Sequence, residues 1–215
     1  MENQKFKSYT HVALVLDASG SMQSLRESTV STMKEFFNSL KSPEDKTVVD
    51  LWQFDELVEH VIDGKDIEQG ASEAIENYHI GGCTALYDAI CIGIDELGRK
   101  FAAMKEEERP DAVVFAILTD GFENSSTKFN IRDVKERIAH QTEKYSWTFR
   151  FLAANQDAVL AGREFGLTAD ACMDFDATPS GVTESWSCVR DLCCGLVREN
   201  ARRVRASKSG RIANQ

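Results

Sequence analysis

The stretch LDASGSM, from Leu16 to Met22, follows directly on the apolar run HVALV at residues 11–15. An apolar run rich in β-branched residues needs cover on both faces and is typical of a central strand in a mainly parallel sheet. Such sheets bind ligands just past the carboxyl ends of their strands. The carboxylate, the two hydroxyls and the glycine of LDASGSM therefore lie where a functional site is expected.

The rest of the chain alternates strand-like apolar runs with segments of helical period. Only two residues separate the runs 47–54 and 57–62, which predicts a hairpin whose second strand lies antiparallel at a sheet edge. The remaining predicted elements are strands at 11–16, 112–118, 147–154 and 171–175, and helices at 22–40, 85–104, 131–144, 158–165 and 179 to about 203. This order predicts an α/β fold: a three-layer, Rossmann-like sandwich on a doubly wound, mostly parallel six-stranded sheet with one antiparallel edge strand.

Length and composition favour one compact domain. The chain has 215 residues, of which 42% are hydrophobic, enough for a sizeable core. We predict a domain at residues 9–203, followed by a basic and flexible C-terminal tail at 204–215. The sequence has no apolar run long enough to span a bilayer and no signal-peptide pattern, so we expect a cytoplasmic protein without membrane insertion.

Charge and metal-ligand patterns exclude several classes of function. The net charge of −10 opposes a general nucleic-acid surface, which needs clustered lysines and arginines. The six cysteines show no CxxC spacing, which indicates reduced thiols, and the four histidines show no HExxH spacing. The sequence therefore does not predict a nucleic-acid-binding protein, a disulfide-rich domain or a zinc hydrolase.

Small oxygen-bearing side chains are concentrated in three segments, each of which follows a predicted strand or precedes a predicted helix. They are Asp17-Ala18-Ser19-Gly20-Ser21, Gly81-Gly82-Cys83-Thr84 and Thr119-Asp120-Gly121. If the strands that end near residues 16 and 118 are neighbours, all three segments meet at one edge of the sheet. Carboxylates and hydroxyls without a nearby histidine or cysteine ligand suit a hard cation such as Mg²⁺.

These residues resemble the metal-ion-dependent adhesion site of the von Willebrand factor type A domain family. The resemblance rests on Asp17-x-Ser19-x-Ser21, on Thr84 in GGCTALYDAI and on Asp120 in LTDGFEN, and it covers about residues 9–200. It implies that Asp17, Ser19, Ser21, Thr84 and Asp120 bind Mg²⁺ or Mn²⁺. It further implies that an unidentified partner protein supplies a Glu or Asp to the ion. Because the sequence offers no set of base, nucleophile and acid around the ion, we expect that the chain is not an enzyme. The chain looks most like the free-standing intracellular members of bacteria or phages.

Other interpretations of the same residues stay open. Asp17 and the serines after it could cap a helix, and Asp88 and Asp95 fit the polar face of one. The turn Asn155-Gln156-Asp157 could border the site. Phe122 and Tyr87 are candidates for a partner-binding rim, or could belong to the core.

The alternative function is a Mg²⁺-dependent, phosphatase-like hydrolase with Asp17 as its nucleophile. Phosphatases of the haloacid-dehalogenase kind place a second aspartate two residues after the nucleophile, as the general acid. Ser19 occupies that position here, and a hydroxyl cannot protonate a leaving group near neutral pH.

Overall fold

The computed structural model describes residues 8–69 and 75–212, and within them six strands form one sheet. The order across the sheet is β3-β2-β1-β4-β5-β6. Only β3 is antiparallel to its neighbour, and it lies at an edge. The predicted fold class is therefore confirmed. The strands are β1 (Tyr9–Asp17), β2 (Lys46–Phe54), β3 (Val58–Asp66), β4 (Ala112–Thr119), β5 (Thr148–Ala154) and β6 (Cys172–Phe175).

The central strand β1 contributes to two separate cores. Successive side chains of a strand point to opposite faces of the sheet. Leu14 and Leu16 accordingly pack in one apolar cluster, while Ala13 and Val15 pack in the other. All four are essentially inaccessible to solvent, which explains why the run is apolar without alternation.

Helices cover both faces of the sheet and complete the three layers. The helices are α1 (Arg26–Ser39), α2 (Leu86–Ala103), α3 (Ile131–Tyr145), α4 (Ala158–Glu164) and α5 (Pro179–Ile212). Phe36 and Phe37 of α1 share one core with Trp186 of α5. The apolar faces of α2 and α3 share the other, through Ile94 and Val134.

Two helix boundaries differ from those expected. Residues Gly20–Leu25 form a 3-10 helix, and the α-helix that we expected from Met22 begins only at Arg26. A 3-10 helix is wound more tightly, so Ser19 and Ser21 lie on a compact turn at the sheet edge. At the other end of the chain, α5 extends to Ile212, past the expected Arg203. The flexibility of residues 204–215 stays a prediction, and residues 213–215 lie outside the described part.

Within residues 8–69 and 75–212, no helix combines the length and the apolar character needed to cross a membrane.

Candidate metal centre

The sheet topology brings the three oxygen-rich segments together. Asp17 is the last residue of β1, and Asp120 follows the last residue of β4. These two strands are parallel neighbours, with Leu16 paired to Leu118, so both aspartates emerge at the same edge. The third segment reaches this edge through backbone hydrogen bonds, in which Gly81 N donates to Ala18 O (2.9 Å) and Gly20 N to Gly82 O (3.3 Å).

The side-chain oxygens of these segments converge on one small space. Ser21 Oγ donates to Asp120 Oδ1 (2.5 Å) and lies 3.2 Å from Ser19 Oγ. A methyl group placed on Gly121 would lie 3.1 Å from Thr84 Oγ1, 3.6 Å from Ser21 Oγ and 3.7 Å from an Asp17 carboxylate oxygen. The structure thus brings Thr84, Ser21 and Asp17 together beside Gly121, and the contacts of Ser21 add Ser19 and Asp120 to the group.

The two carboxylates are buried beside each other without a cationic side chain. Asp17 is fully buried and Asp120 is 4% exposed. Burial raises the pKa of both carboxyl groups, and the charge of Asp120 raises that of Asp17 further, while hydrogen bonds from Ser19 and Thr119 oppose the rise. Among the described residues, no lysine, arginine or histidine forms an ion pair with either aspartate. Buried charges require compensation, and a divalent cation bound by these oxygens would supply it.

Three further residues hold the predicted ligands in place: Thr119, which belongs to one of the oxygen-rich segments, and Tyr78 and Asn124, which the sequence did not reveal. Thr119 Oγ1 donates to Asp17 Oδ2 (2.5 Å), and the buried Tyr78 hydroxyl donates to the backbone carbonyl of Asp17. Asn124 Oδ1 accepts from the Thr84 backbone N–H (2.8 Å), and Asn124 N donates to the Thr84 carbonyl (3.1 Å). These contacts fix the positions of Asp17 and Thr84 at the edge of the sheet.

Comparison with known proteins agrees with this geometry. The model of the von Willebrand factor type A domain family matches residues 11–159, which include all five predicted site residues. The chain belongs to this family.

Solved structures share the fold of this type A domain. A von Willebrand factor type A protein from Catenulispora acidiphila is 18% identical with a TM-score of 0.62, and the match covers 86% of this chain and 42% of that one. A second relative is proximal thread matrix protein 1 from the mussel byssus, in a structure with a zinc-occupied MIDAS motif. It is 15% identical with a TM-score of 0.60, and the match covers 87% of this chain and 47% of that one. The vWF domain of the pilus tip protein Mfa5 from Porphyromonas gingivalis is 9% identical with a TM-score of 0.62. The match covers 86% of this chain and 95% of that one.

The type A domain spans less than half the length of the first of these structures. No curated protein sequence is significantly similar to the chain.

The loop between β4 and α3 of this type A domain is held by two carboxylates. Asp88, which we expected on the polar face of a helix, is 5% exposed and accepts backbone N–H groups of residues 127–129 at 2.8–3.2 Å. Glu123 accepts from the backbone N–H groups of Tyr87, Ser125 and Ser126. Asp88 is thus a buried loop anchor, and the expectation of an exposed residue is wrong. Asp95 does lie on the outer face, in a bidentate ion pair with Arg137.

The turn after β5 serves two purposes. Asp157 is the N-cap of α4 and accepts from the backbone N–H of Leu160 (2.8 Å), as expected of a turn residue. The other two side chains hold the centre from one side: Asn155 Nδ2 donates to the Asp120 carbonyl (3.1 Å), and Gln156 Nε2 donates to the Gly121 carbonyl (3.0 Å). The turn therefore contacts the backbone of the centre.

The close approach of Gly121 gives a direct test of the centre. In Gly121→Ala, the new methyl group would crowd Thr84 Oγ1 at 3.1 Å, so we expect Mn²⁺ affinity to fall by about tenfold. The measurement is titration calorimetry. The control is Gly81→Ala on the neighbouring segment, where an added methyl group meets nothing within 4 Å. Equal Mn²⁺ affinities for the two variants would contradict the placement of the ion beside Gly121.

A second group of possible metal ligands lies away from the centre, around Asp50 in β2. Carboxylate and imidazole atoms of Asp50, His60 and Asp63 lie within 4.8 Å of one another. The Lys100 ammonium already lies 2.7 Å from Asp50 Oδ1 and 2.6 Å from Asp63 Oδ1. Lys100 therefore occupies the position where a cation would be attracted, and the group is best described as an ion-pair network.

His11 joins this network as a neutral side chain. It is fully buried, and burial lowers its pKa, although the neighbouring Asp50 carboxylate opposes the shift. A neutral ring with its proton on Nε2 satisfies both contacts, since Nε2 lies 2.6 Å from Asp50 Oδ2 and Nδ1 lies 3.1 Å from the Tyr9 hydroxyl.

The lowered pKa of His11 predicts a pH dependence of stability. Below an unfolded-state pKa of about 6.5, the unfolded chain binds a proton that the folded chain does not bind, so protonation favours unfolding. The contribution of His11 is complete above that pH and is lost as the pH falls below it. In urea titrations, we expect the loss between pH 7 and pH 5 to be smaller in His11→Gln. An identical loss in both proteins would contradict the assignment.

Proposed function

We propose that this type A domain is a non-enzymatic protein-binding module. It holds Mg²⁺ through Asp17, Ser19, Ser21, Thr84 and Asp120, and the ion coordinates a Glu or Asp of a partner protein. The observation that carries this proposal is the convergence of these oxygens around two buried carboxylates that lack a cationic partner in the described residues.

The chemistry of the ligands favours a hard divalent ion. Every proposed ligand atom is a carboxylate or hydroxyl oxygen, and such ligands suit Mg²⁺ and Mn²⁺. The related mussel protein has been observed with zinc in its MIDAS motif. Titration with all three ions would therefore rank them for this chain.

The charge balance leaves room for a third carboxylate. Asp17 and Asp120 together neutralise a divalent cation, and the hydroxyl ligands add no charge. A partner carboxylate is attracted to such an ion at short range. Ser21 and Gly20 are exposed at this edge, so the centre can be approached from solvent.

The surroundings of Asp17 oppose the hydrolase alternative. Its Oδ1 accepts the backbone N–H of Ser19 (2.7 Å), and its Oδ2 accepts the hydroxyl of Thr119 (2.5 Å). Each carboxylate oxygen keeps a second lone pair, so these contacts orient Asp17 for an ion, and what opposes the hydrolase is the missing general acid. The position expected for the general acid is occupied by the hydroxyl of Ser19.

Apolar side chains beside the centre form a candidate rim for the partner. Phe122 follows Gly121 directly and is 62% exposed. Tyr87 is half-buried and lines the same cavity as Phe122. We propose that Phe122 contributes contact area to the partner, with Tyr87 beneath it.

Metal-dependent capture tests the proposed function. The immobilised chain is incubated with extract of its source cell in Mg²⁺ or in EDTA, and the retained proteins are identified by mass spectrometry. We expect a partner that is retained in Mg²⁺, is lost in EDTA and returns when Mg²⁺ is restored. Replacing its coordinating Glu by Gln should weaken binding as much as removing Mg²⁺, because the shape is kept and the charge is lost. A partner that survives both treatments would contradict the proposal.

The cellular setting stays a prediction. We expect a cytoplasmic protein of bacterial or phage type, whereas the structural relatives include a pilus tip protein.

A further inference from the structure

A cavity of about 230 Å³ opens beside the metal centre, between the loop after β4 and helix α4. The ring of Phe165, which is 3% exposed, packs edge-on against Tyr87 with ring centroids 6.1 Å apart. Both rings line the cavity. Phe122 and Leu160 also line it, and they are 62% and 59% exposed. The cavity thus has an aromatic floor and two exposed apolar walls.

The rim of this cavity is acidic. Glu123, Asp157 and Glu164 line it, and no lysine or arginine does so among the described residues. The carboxylates of Glu123 and Glu164 both lie near enough to the Tyr87 hydroxyl to raise its pKa, in addition to the effect of burial.

The three carboxylates differ in how far they are already occupied. Glu123 accepts backbone N–H groups, and Asp157 caps α4. The carboxylate of Glu164 is exposed and forms no side-chain hydrogen bond or ion pair within residues 8–69 and 75–212. Its charge is therefore available to a ligand.

We propose that this cavity receives a basic side chain, an arginine or lysine, from the same partner that supplies the carboxylate to the metal. The aliphatic stem or guanidinium plane of such a side chain packs on apolar and aromatic surface, while its charged head meets carboxylates at the rim. That the cation belongs to the metal-bound partner rests on the proposed function.

The two sites are close enough for one short segment to reach both. Phe122 lines the cavity and is the direct neighbour of Gly121, against which the ligand oxygens converge. Gln156 also lines the cavity, and its side chain donates to the Gly121 carbonyl (3.0 Å). A few residues of extended chain cover such a span.

A basic residue beside the acidic residue of the partner also reduces the electrostatic repulsion between the two proteins. The chain carries a net charge of −10, which repels an acidic partner at long range. A segment that carries both charges avoids that repulsion, and it offers the acidic group to the ion and the basic group to Glu164.

Small probes test the cavity without any partner. Benzamidinium is a planar cation on an aromatic ring, and benzamide is its neutral analogue. In NMR spectra of the full chain, we expect benzamidinium to shift the backbone amide signals of Phe122, Leu160 and Phe165. The shifts should be equal in Mg²⁺ and in EDTA. Benzamide should bind about threefold to fivefold more weakly, as expected for one partly exposed ion pair.

A matched pair of variants assigns this preference to Glu164. Glu164→Gln should lower the affinity for benzamidinium to the affinity for benzamide. Glu143→Gln, which removes the same charge from an exposed position on α3, should change nothing. Equal binding of the two probes to the unmodified chain, or an equal loss in both variants, would overturn the proposal for the cavity.

Peptide selection separates this inference from the proposed function. Random peptides are selected on the immobilised chain in Mn²⁺ and eluted with EDTA. We expect the selected peptides to combine Glu or Asp with a nearby Arg or Lys, and to bind Glu164→Gln less tightly than Glu143→Gln. EDTA-sensitive peptides without that basic residue would overturn the inference and leave the proposed function standing. Benzamidinium binding without any EDTA-sensitive peptide would contradict the proposed function and the shared partner.

Discussion

The double substitution Asp17→Ala and Asp120→Ala should abolish Mn²⁺ binding in titration calorimetry, whereas the unmodified chain should bind one ion. Each aspartate contributes a full negative charge, while the other three proposed ligands are neutral hydroxyls. Removing both charges leaves a divalent ion with hydroxyls and water, which gives the protein no advantage over solvent. We expect an affinity between micromolar and millimolar for the unmodified chain and no measurable heat for the variant.

The control for this experiment is Asp63→Ala. Asp63 belongs to the second group of possible ligands around Asp50, and its side chain is 71% exposed. The control should bind Mn²⁺ like the unmodified chain. If Asp63→Ala loses the ion while the double variant keeps it, the ion binds at the Asp50 group and the proposed centre is wrong.

The second large effect is expected at Asp50, on stability. This carboxylate is fully buried and contacts His11 (2.6 Å), His60 (2.7 Å) and Lys100 (2.7 Å). Removing this carboxylate leaves the buried Nε2–H of His11 without an acceptor and breaks the contacts with His60 and Lys100, at a total cost of about 3–5 kcal/mol. Asp50→Ala should lower the free energy of unfolding by that amount in urea titrations.

Asp63, the other ion-pair partner of Lys100, provides the control for Asp50. Lys100 also pairs with the exposed Asp63, and such exposed pairs contribute about 0–1 kcal/mol. Asp63→Ala should therefore have a small effect. A similar small loss in Asp50→Ala would show that the network does not stabilise the fold.

The fold was predictable because burial determines the pattern of apolar residues. A parallel strand covered on both faces must be apolar throughout, and the runs at β1 and β4 meet this requirement. The two-residue separation before β3 indicated a hairpin, which the structure confirms. The placement of five candidate ligands at one edge followed from the order of the strands.

Other features could not be predicted, because they depend on contacts between residues far apart in sequence. Asp50 is a single charge in the run TVVDLWQF, and its partners His11 and Lys100 are 39 and 50 residues away. Asp88 falls at helical spacing and resembles a surface residue, yet it accepts the N–H groups of a loop about 40 residues further on. Tyr78 follows a polar segment, and nothing in that segment indicates that its hydroxyl reaches Asp17. Local patterns carry no information about such partners.

The edges of the sheet have a consequence for self-association. An exposed edge strand presents unpaired backbone groups, to which a strand of another molecule can add. At one edge, the pairing of β3 with β2 is interrupted by two register shifts, and Gly64 adopts a left-handed conformation with φ of 57°. Irregularities of this kind bend and twist an edge strand, and the exposed charges of Glu59 and Lys65 add to the barrier. At the opposite edge, β6 has four residues and presents few backbone groups. Both edge strands are poor templates for an incoming strand. The sheet is therefore protected against growing into a β-aggregate at high protein concentration.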